Sequence, residues 1–313
     1  MVDFPNSLKN ALTEYANQYS LADLKTAAQF VSETYRNSNR SSLPLVTRQT
    51  DVVAYALARM PATFAAVARV LENIAPCQTM IDVGAGTGSA TWAALETGKA
   101  QSAICLEKEE KMRNLGSDLM KTDYPAVVWK PFDVKTDLLS DKADLVVSSY
   151  VLNELDQKSQ LVVAEKLWQA TENFLVIIEP GTPAGFEIIS RIRTHLIQKG
   201  AFIVAPCPHS KDCPLAKDDW CHFTCRLARS QIHKLLKGGQ AAYEDEKFSY
   251  LILSPKQPVK TFARILRHPD IEKGNIRLKL CTVDGLKSRT VSRKEKQLFK
   301  IARKANAGDE WNE

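Results

Sequence analysis

The sequence holds no unbroken apolar run of the roughly 18 residues that a membrane-spanning helix needs. Its first ten residues, MVDFPNSLKN, lack the charged segment and following apolar stretch of a secretory leader. A cytoplasmic protein with no membrane partner is the expectation, and a monomer is the simplest assembly. No internal repeat or low-complexity tract is present. The G-x-G-x-x-G run of dinucleotide-binding oxidoreductases is missing, and so is the tight C-x2-C pairing of most zinc sites. The seven cysteines are an odd number, and with no export signal they argue against a disulfide framework.

What is there is an ordinary globular composition, 44% hydrophobic and 25% charged, over 313 residues. That is enough for one large domain with additions or for two domains. The net charge of +6 is unevenly spread. Residues 256–304 hold 15 Lys and Arg against 4 Asp and Glu, a balance of +11, so the rest of the chain stands at −5. Such asymmetry suggests a polyanion partner at the C-terminal end, with a solvated basic face as the plain alternative.

Residues 1–75 read as a helical N-terminal domain. Apolar residues recur at spacings of three and four through 8–35 and again through 51–73, where Pro61 predicts a kink or a division. A polar linker, NSNRSSLP, lies between them. From residue 79 short apolar runs alternate with amphipathic segments, the pattern of βα units on a parallel sheet. Strands are predicted at 79–83, 102–107, 126–130, 145–149 and 174–179. Helices are predicted at about 88–97, 109–121, 158–171 and 184–199. Late strands are expected at 248–253, 261–267 and 276–283. The resulting division assigns 76–203 and 231–286 to an α/β, Rossmann-like doubly wound domain. Residues 204–230 become a cysteine-rich insertion, and 287–313 a basic C-terminal tail.

The run MIDVGAGTGSATWAAL is a strand, a glycine turn and the start of a helix. The turn needs glycine because the backbone bends tightly and approaches a ligand too closely for a Cβ. Asp82 precedes Gly84, Gly86 and Gly88, giving D-x-G-x-G-x-G. The second strand ends in Glu107, 19 residues after Gly88, where a carboxylate can accept hydrogen bonds from both ribose hydroxyls. With five parallel strands expected, the chain resembles the class I S-adenosylmethionine-dependent methyltransferases. The resemblance implies that Gly84–Gly88 cradles the methionine portion, that Glu107 holds the ribose, and that Asp133 lies near the adenine amine. After the fourth strand, amino-methylating nucleic-acid enzymes tend to carry Asn/Asp-Pro-Pro-aromatic. This chain has Ser149-Tyr150-Val151-Leu152-Asn153-Glu154. The acceptor atom is therefore undefined, and Asn153 and Glu154 could orient a substrate or simply cap and pack.

Four cysteines fall within residues 207–225. Prolines follow Cys207 and Cys213, stiffening the loop. Soft thiolates suit zinc or an iron–sulfur cluster. The helical start, DVGAGTG, the CPH…CPL…WCHF segment, LCTVDG and the tail ARKANAGDEW together resemble the methyltransferase-like proteins of the mitochondrial small ribosomal subunit and their bacterial relatives. The likeness runs over nearly the whole chain. It implies a [4Fe–4S] cluster on Cys207, Cys213, Cys221 and Cys281, with Cys225 as the other candidate for the fourth ligand and zinc as the other metal. It also implies small-subunit ribosomal RNA as partner, engaged through the basic C-terminal region. Two functions stay open: an RNA methyltransferase, or a non-catalytic assembly factor that retains the cofactor pocket. A radical enzyme using both groups needs C-x3-C-x2-C, which is absent.

Overall fold

The computed structural model describes residues 3–36, 46–216, 218–237, 241–259 and 262–313. The expected linker at 37–44, Lys217 in the cysteine segment and Thr261 lie outside the described residues.

Three helices open the chain: α1 (Asn6–Ala16), α2 (Leu21–Arg36) and α3 (Gln49–Leu71). The continuous periodicity of 8–35 hides a break, because the Ser20 hydroxyl accepts the Asp23 amide at 3.1 Å and restarts the chain as α2. Leu8, Leu12, Leu24 and Ala27 are buried along the apolar stripes. Helix α3 runs unbroken through Pro61, so the predicted division there does not occur. Its apolar window has a mean hydropathy of 1.2, enough to resemble a membrane span, yet 78% of that window is buried inside the fold. It is the core helix on one face of the sheet, with Val53, Met60, Phe64 and Val67 in the main apolar cluster.

The central sheet is built from β1 (Thr79–Val83), β2 (Ser102–Glu107), β3 (Val128–Pro131), β4 (Ala143–Ser149) and β5 (Thr171–Pro180). Between them lie α4 (Ser89–Glu96), α5 (Glu110–Met120) and α6 (Gln157–Gln169). After β5 come α7 (Pro183–Gln198), β6 (Phe202–Ala205), β7 (Phe223–Ala228), α8 (Gln231–Lys237) and β8 (Tyr243–Ser254). The order is β3–β2–β1–β4–β5–β8–β6, parallel through β5. Strand β8 is antiparallel to β5, to β6 and, over its first half, to β7. The inner strands β1, β4 and β5 are buried on both sides along most of their length, as a sheet covered by helices on two faces requires, while the edge strand β3 is not. Helices α1 to α5 cover one face, and α6 and α7 pack on the other through Val163, Leu167, Ile192 and Leu196.

The last fifty residues differ from the expectation. Strands β9 (Ala263–Ile265), β10 (Asp270–Glu272), β11 (Asn275–Thr282) and β12 (Gly285–Ser292), helix α9 (Lys296–Lys304) and β13 (Glu310–Trp311) form a second unit. Its sheet runs β10–β11–β9–β13, with β12 on the other edge of β11. The strand expected at 276–283 therefore belongs to this sheet and not to the central one. Nor are residues 287–313 a tail: Val291, Ala302 and Trp311 join Ile265, Ile276, Leu278 and Leu280 in a separate apolar core. The strict alternation of β11, with Ile276, Leu278 and Leu280 buried and Arg277 and Lys279 exposed, is what a one-faced sheet needs.

Candidate functional site

The carboxyl ends of the first three strands are level. Val83 pairs with Leu106, and Glu107 with Pro131. The glycine turn leaves β1 here, with the amides of Gly84 and Ala85 donating to the Leu106 carbonyl at 2.8 and 3.1 Å. Gly84 has φ +73°, and a Cβ on it would lie 2.4 Å from a Val151 methyl, so the chain's own packing demands glycine. Gly86, at φ +56°, is different: a Cβ there would meet nothing nearer than the Tyr55 hydroxyl at 3.9 Å. It faces the space a ligand needs. Gly88, also left-handed, starts α4.

The Gly86 amide donates to Oε2 of Glu107 and the Glu109 amide to Oε1, each at 2.8 Å. Burial pushes the Glu107 pKa up, against these two backbone bonds. The carboxylate is thus fixed at the strand tip with lone pairs left for further donors. Asp133 lies on the same edge, its Oδ2 2.9 Å from the Lys108 ammonium, which holds its pKa below the ordinary value. Asp82 is placed otherwise. It is wholly buried, and its Oδ2 accepts from the Thr91 amide and hydroxyl at 3.1 and 2.9 Å in the first turn of α4. Burial pushes its pKa up to about 7, and Oδ1 has no partner. The structure brings together Gly84, Gly86, Gly88, Glu107 and Asp133, and turns Asp82 inward as a support for α4.

Sequence reasoning missed the residues that roof this edge. Tyr55 and Arg59 sit one helical turn apart on α3. Arg59 lies over the Tyr150 ring at 5.7 Å and pairs with Glu246 at 3.2 Å. Tyr150 directly follows β4, is the one described non-glycine residue with positive φ (60°), and donates its hydroxyl to Glu246 at 2.9 Å. The next turn is held by buried Glu179, which accepts the amides of Leu152 and Asn153 at 2.9 and 3.2 Å. Burial pushes Glu179 up to about 8. The one available signal was the i, i+4 pairing of an aromatic and a cation within the apolar middle of α3.

The cysteines fall into two sets. Cys207, Cys213, Cys221 and Cys281 line one cavity with Arg193, His209, Ser190 and Tyr250, and otherwise with apolar side chains such as Ile189, Leu251 and Leu266. Burial pushes the Cys281 thiol up to about 12, with Cys207 and Cys213 adding to it, and His209 Nε2 stands 3.6 Å from its sulfur. Cys225 lies apart on β7, opposite Glu246 in the ladder. Cys77 and Cys105 are buried elsewhere. Among the described residues no three His, Cys, Asp or Glu side chains converge closely enough to hold a single ion.

The cavity lies where the two sheets meet. Arg264, 2% exposed, donates to the Pro206 carbonyl, to Asn73 Oδ1 and to the Gly308 carbonyl at 2.9–3.1 Å. Asp219 pairs with Arg267 and with Lys279, the latter at 2.8 Å. These contacts tie the segment after β6 to the second sheet.

A parallel β3–β2–β1–β4–β5 core with a glycine turn after β1 and an acid at the tip of β2 defines an α/β, methyltransferase-like Rossmann fold. The chain belongs to the family described as mitochondrial small ribosomal subunit Rsm22, whose model matches residues 49–312. It is 31% identical over 288 residues to the human ribosome assembly protein METTL17, mitochondrial, covering 82% of this chain and 61% of that protein. It is 23% identical over 366 residues to the Rsm22-cox11 tandem protein 2, mitochondrial, of Schizosaccharomyces pombe, covering 97% and 48%. The chain thus spans about half to three fifths of the length of these curated relatives. Among solved structures it matches a magnesium protoporphyrin IX methyltransferase from Synechocystis with bound SAM, at TM-score 0.43 and 15% identity, over 74% of this chain and 96% of that one. The expectation of a cytoplasmic protein is corrected by these findings. The family description and both relatives' names are mitochondrial and point to that compartment, and the lack of a secretory pattern has no bearing on the choice.

Proposed function

We propose that this chain is a small-ribosomal-subunit factor that holds S-adenosylmethionine at the carboxyl edge of β1 and β2 and engages small-subunit ribosomal RNA. The observation that carries the reading is the joining of the open glycine turn at Gly86 to the Glu107 carboxylate, within a chain of the Rsm22 family. Gly84, Gly86 and Gly88 would shape the methionine side, Glu107 would accept from the ribose hydroxyls, and Asp133 would lie towards the adenine. When bound, the cofactor supplies a sulfonium methyl group. The protein's part is to position it, since alignment is most of what such a transfer needs.

The four-cysteine cavity is proposed to hold a [4Fe–4S] cluster on Cys207, Cys213, Cys221 and Cys281. Four thiols in a largely apolar wall, with a buried cation beside them, suit an iron–sulfur group. The group's part would be structural, joining the segment after β6 to β11. RNA contact is assigned to the second sheet, where Lys296, Lys300, Arg303 and Lys304 share the exposed face of α9 while Leu298, Phe299 and Ala302 face its core.

A second reading, a non-catalytic assembly factor, is favoured by one feature. Tyr150 stands where an acceptor-orienting motif would begin, and it is buried and bonded to Glu246. Anaerobic purification with bound RNA, followed by footprinting and a search for methylated nucleotides, tests both. Protected small-subunit RNA supports the proposal, and methyl marks that depend on Glu107 separate its two forms. RNA without small-subunit enrichment would overturn it.

A further inference from the structure

Arg193 enters the wall of the cysteine cavity from α7. It is 5% exposed, and among the described residues no carboxylate pairs with it. Its Nη2 donates to the carbonyls of His209 and Lys211 at 2.9 and 2.6 Å, both within the loop from Cys207 to Cys213. Its Nε is buried and donates to no partner. A buried cation with an unused donor is costly unless an anion lies beside it. Among the described residues lining the cavity with it, four are cysteines and none is Asp or Glu.

We infer that Arg193 is the positioning residue and countercharge of the cysteine-held group: its Nη2 fixes the Cys207–Cys213 loop, and its free N–H and positive charge serve the thiolate sulfurs, Cys207 first. This rests on the cluster reading given above. Four thiolates around a [4Fe–4S] core leave a net negative charge, which grows by one when the core takes up an electron. Charge and hydrogen bonds at the sulfurs set the potential of such a centre. A fixed cation favours the more negative, reduced form, so Arg193 holds the potential up. Lysine could keep the charge but has no counterpart of the buried, unpartnered Nε–H that Arg193 holds beside the thiols.

The test is an anaerobic redox titration, with mediators, of purified wild type, R193M and R193K. Iron, sulfide and visible spectrum are measured on each. The expected result is that R193M binds iron yet shifts the one-electron equilibrium at least tenfold towards the oxidised form, about 59 mV lower in potential. R193K should shift it by less. If R193M does not fold, R193Q, also uncharged, takes its place with the same expectation. Neutral variants titrating with wild type, or R193K shifting as far as they do, would overturn the assignment. Wild-type protein without iron and sulfide would defeat the cluster reading itself, and the Arg193 role with it.

Discussion

The Gly86 amide donates to Oε2 of Glu107 across 2.8 Å, so the turn after β1 and the tip of β2 hold each other in place. Glu107→Ala should weaken S-adenosylmethionine binding at least tenfold, about 1.4 kcal/mol. The variant would lose the proposed ribose acceptor, and it frees the Gly86 and Glu109 amides. Gly86→Arg should weaken binding as far by filling the open space, at a folding cost of about 1 kcal/mol for a side chain at φ +56°. Calorimetric titration of the folded variants checks this. Wild-type affinity in both would remove the cofactor assignment.

The cysteines give a second outcome. Serine at Cys207, Cys213, Cys221 or Cys281 should abolish the visible absorption of anaerobically purified protein and its bound iron. Serine at Cys77, Cys105 or Cys225, which lie outside the cavity, should leave both intact. A colourless wild type with one equivalent of zinc contradicts this.

Asp82 predicts a pH dependence. Its pKa stands at about 7 in the fold against an ordinary 3.8, so the fold favours the protonated carboxyl. That stabilisation is complete below pH of about 3.8 and is lost as pH rises through about 7. Asp82→Asn keeps the shape without the charge. It should flatten the stability profile over that window and raise unfolding free energy above neutrality by up to about 4 kcal/mol, less the cost of a buried amide N–H where Oδ1 now has no partner. Denaturant melts across the range decide it, and parallel profiles for the two proteins would refute the buried-charge explanation.

Helix α9 carries the charge prediction. Reversing Lys296, Lys300, Arg303 and Lys304 to Glu should lower affinity for ribosomal RNA and reduce the slope of log K against log salt by about 3. The four side chains lie off the apolar core, so folding and cofactor binding should persist. An unchanged slope would leave only a solvated basic face.

Much of the site could be read from the residues alone. The strand bounds at Thr79–Val83 and Ser102–Glu107 were legible because each apolar run stops at a glycine or a charge. Of the C-terminal unit, only the strands near 261–267 and 276–283 were legible, and not that they form a sheet of their own. Its strands are short, its charged residues alternate with the buried ones, and its pairing joins Ala263 to Trp311 across the sequence. The eight basic residues between 287 and 304 concealed Val291 and Ala302, whose burial makes the segment a folded unit. Arg59, Tyr150 and Glu246 meet only in the fold, and nothing local to any of them announces the others. Asp82 shows the reverse limit. Its place in D-x-G-x-G-x-G suggested the ligand, while the register of β1 turns it towards Thr91.

The central claim is a small-subunit RNA partner for a cofactor-holding fold. Its most direct test is co-sedimentation of the purified, anaerobically handled protein with isolated small and large ribosomal subunits at low and moderate salt. The account predicts that wild type travels with the small subunit and not the large, and that the α9 charge reversal releases it. Equal recovery on both subunits, or none on either at low salt, would contradict it.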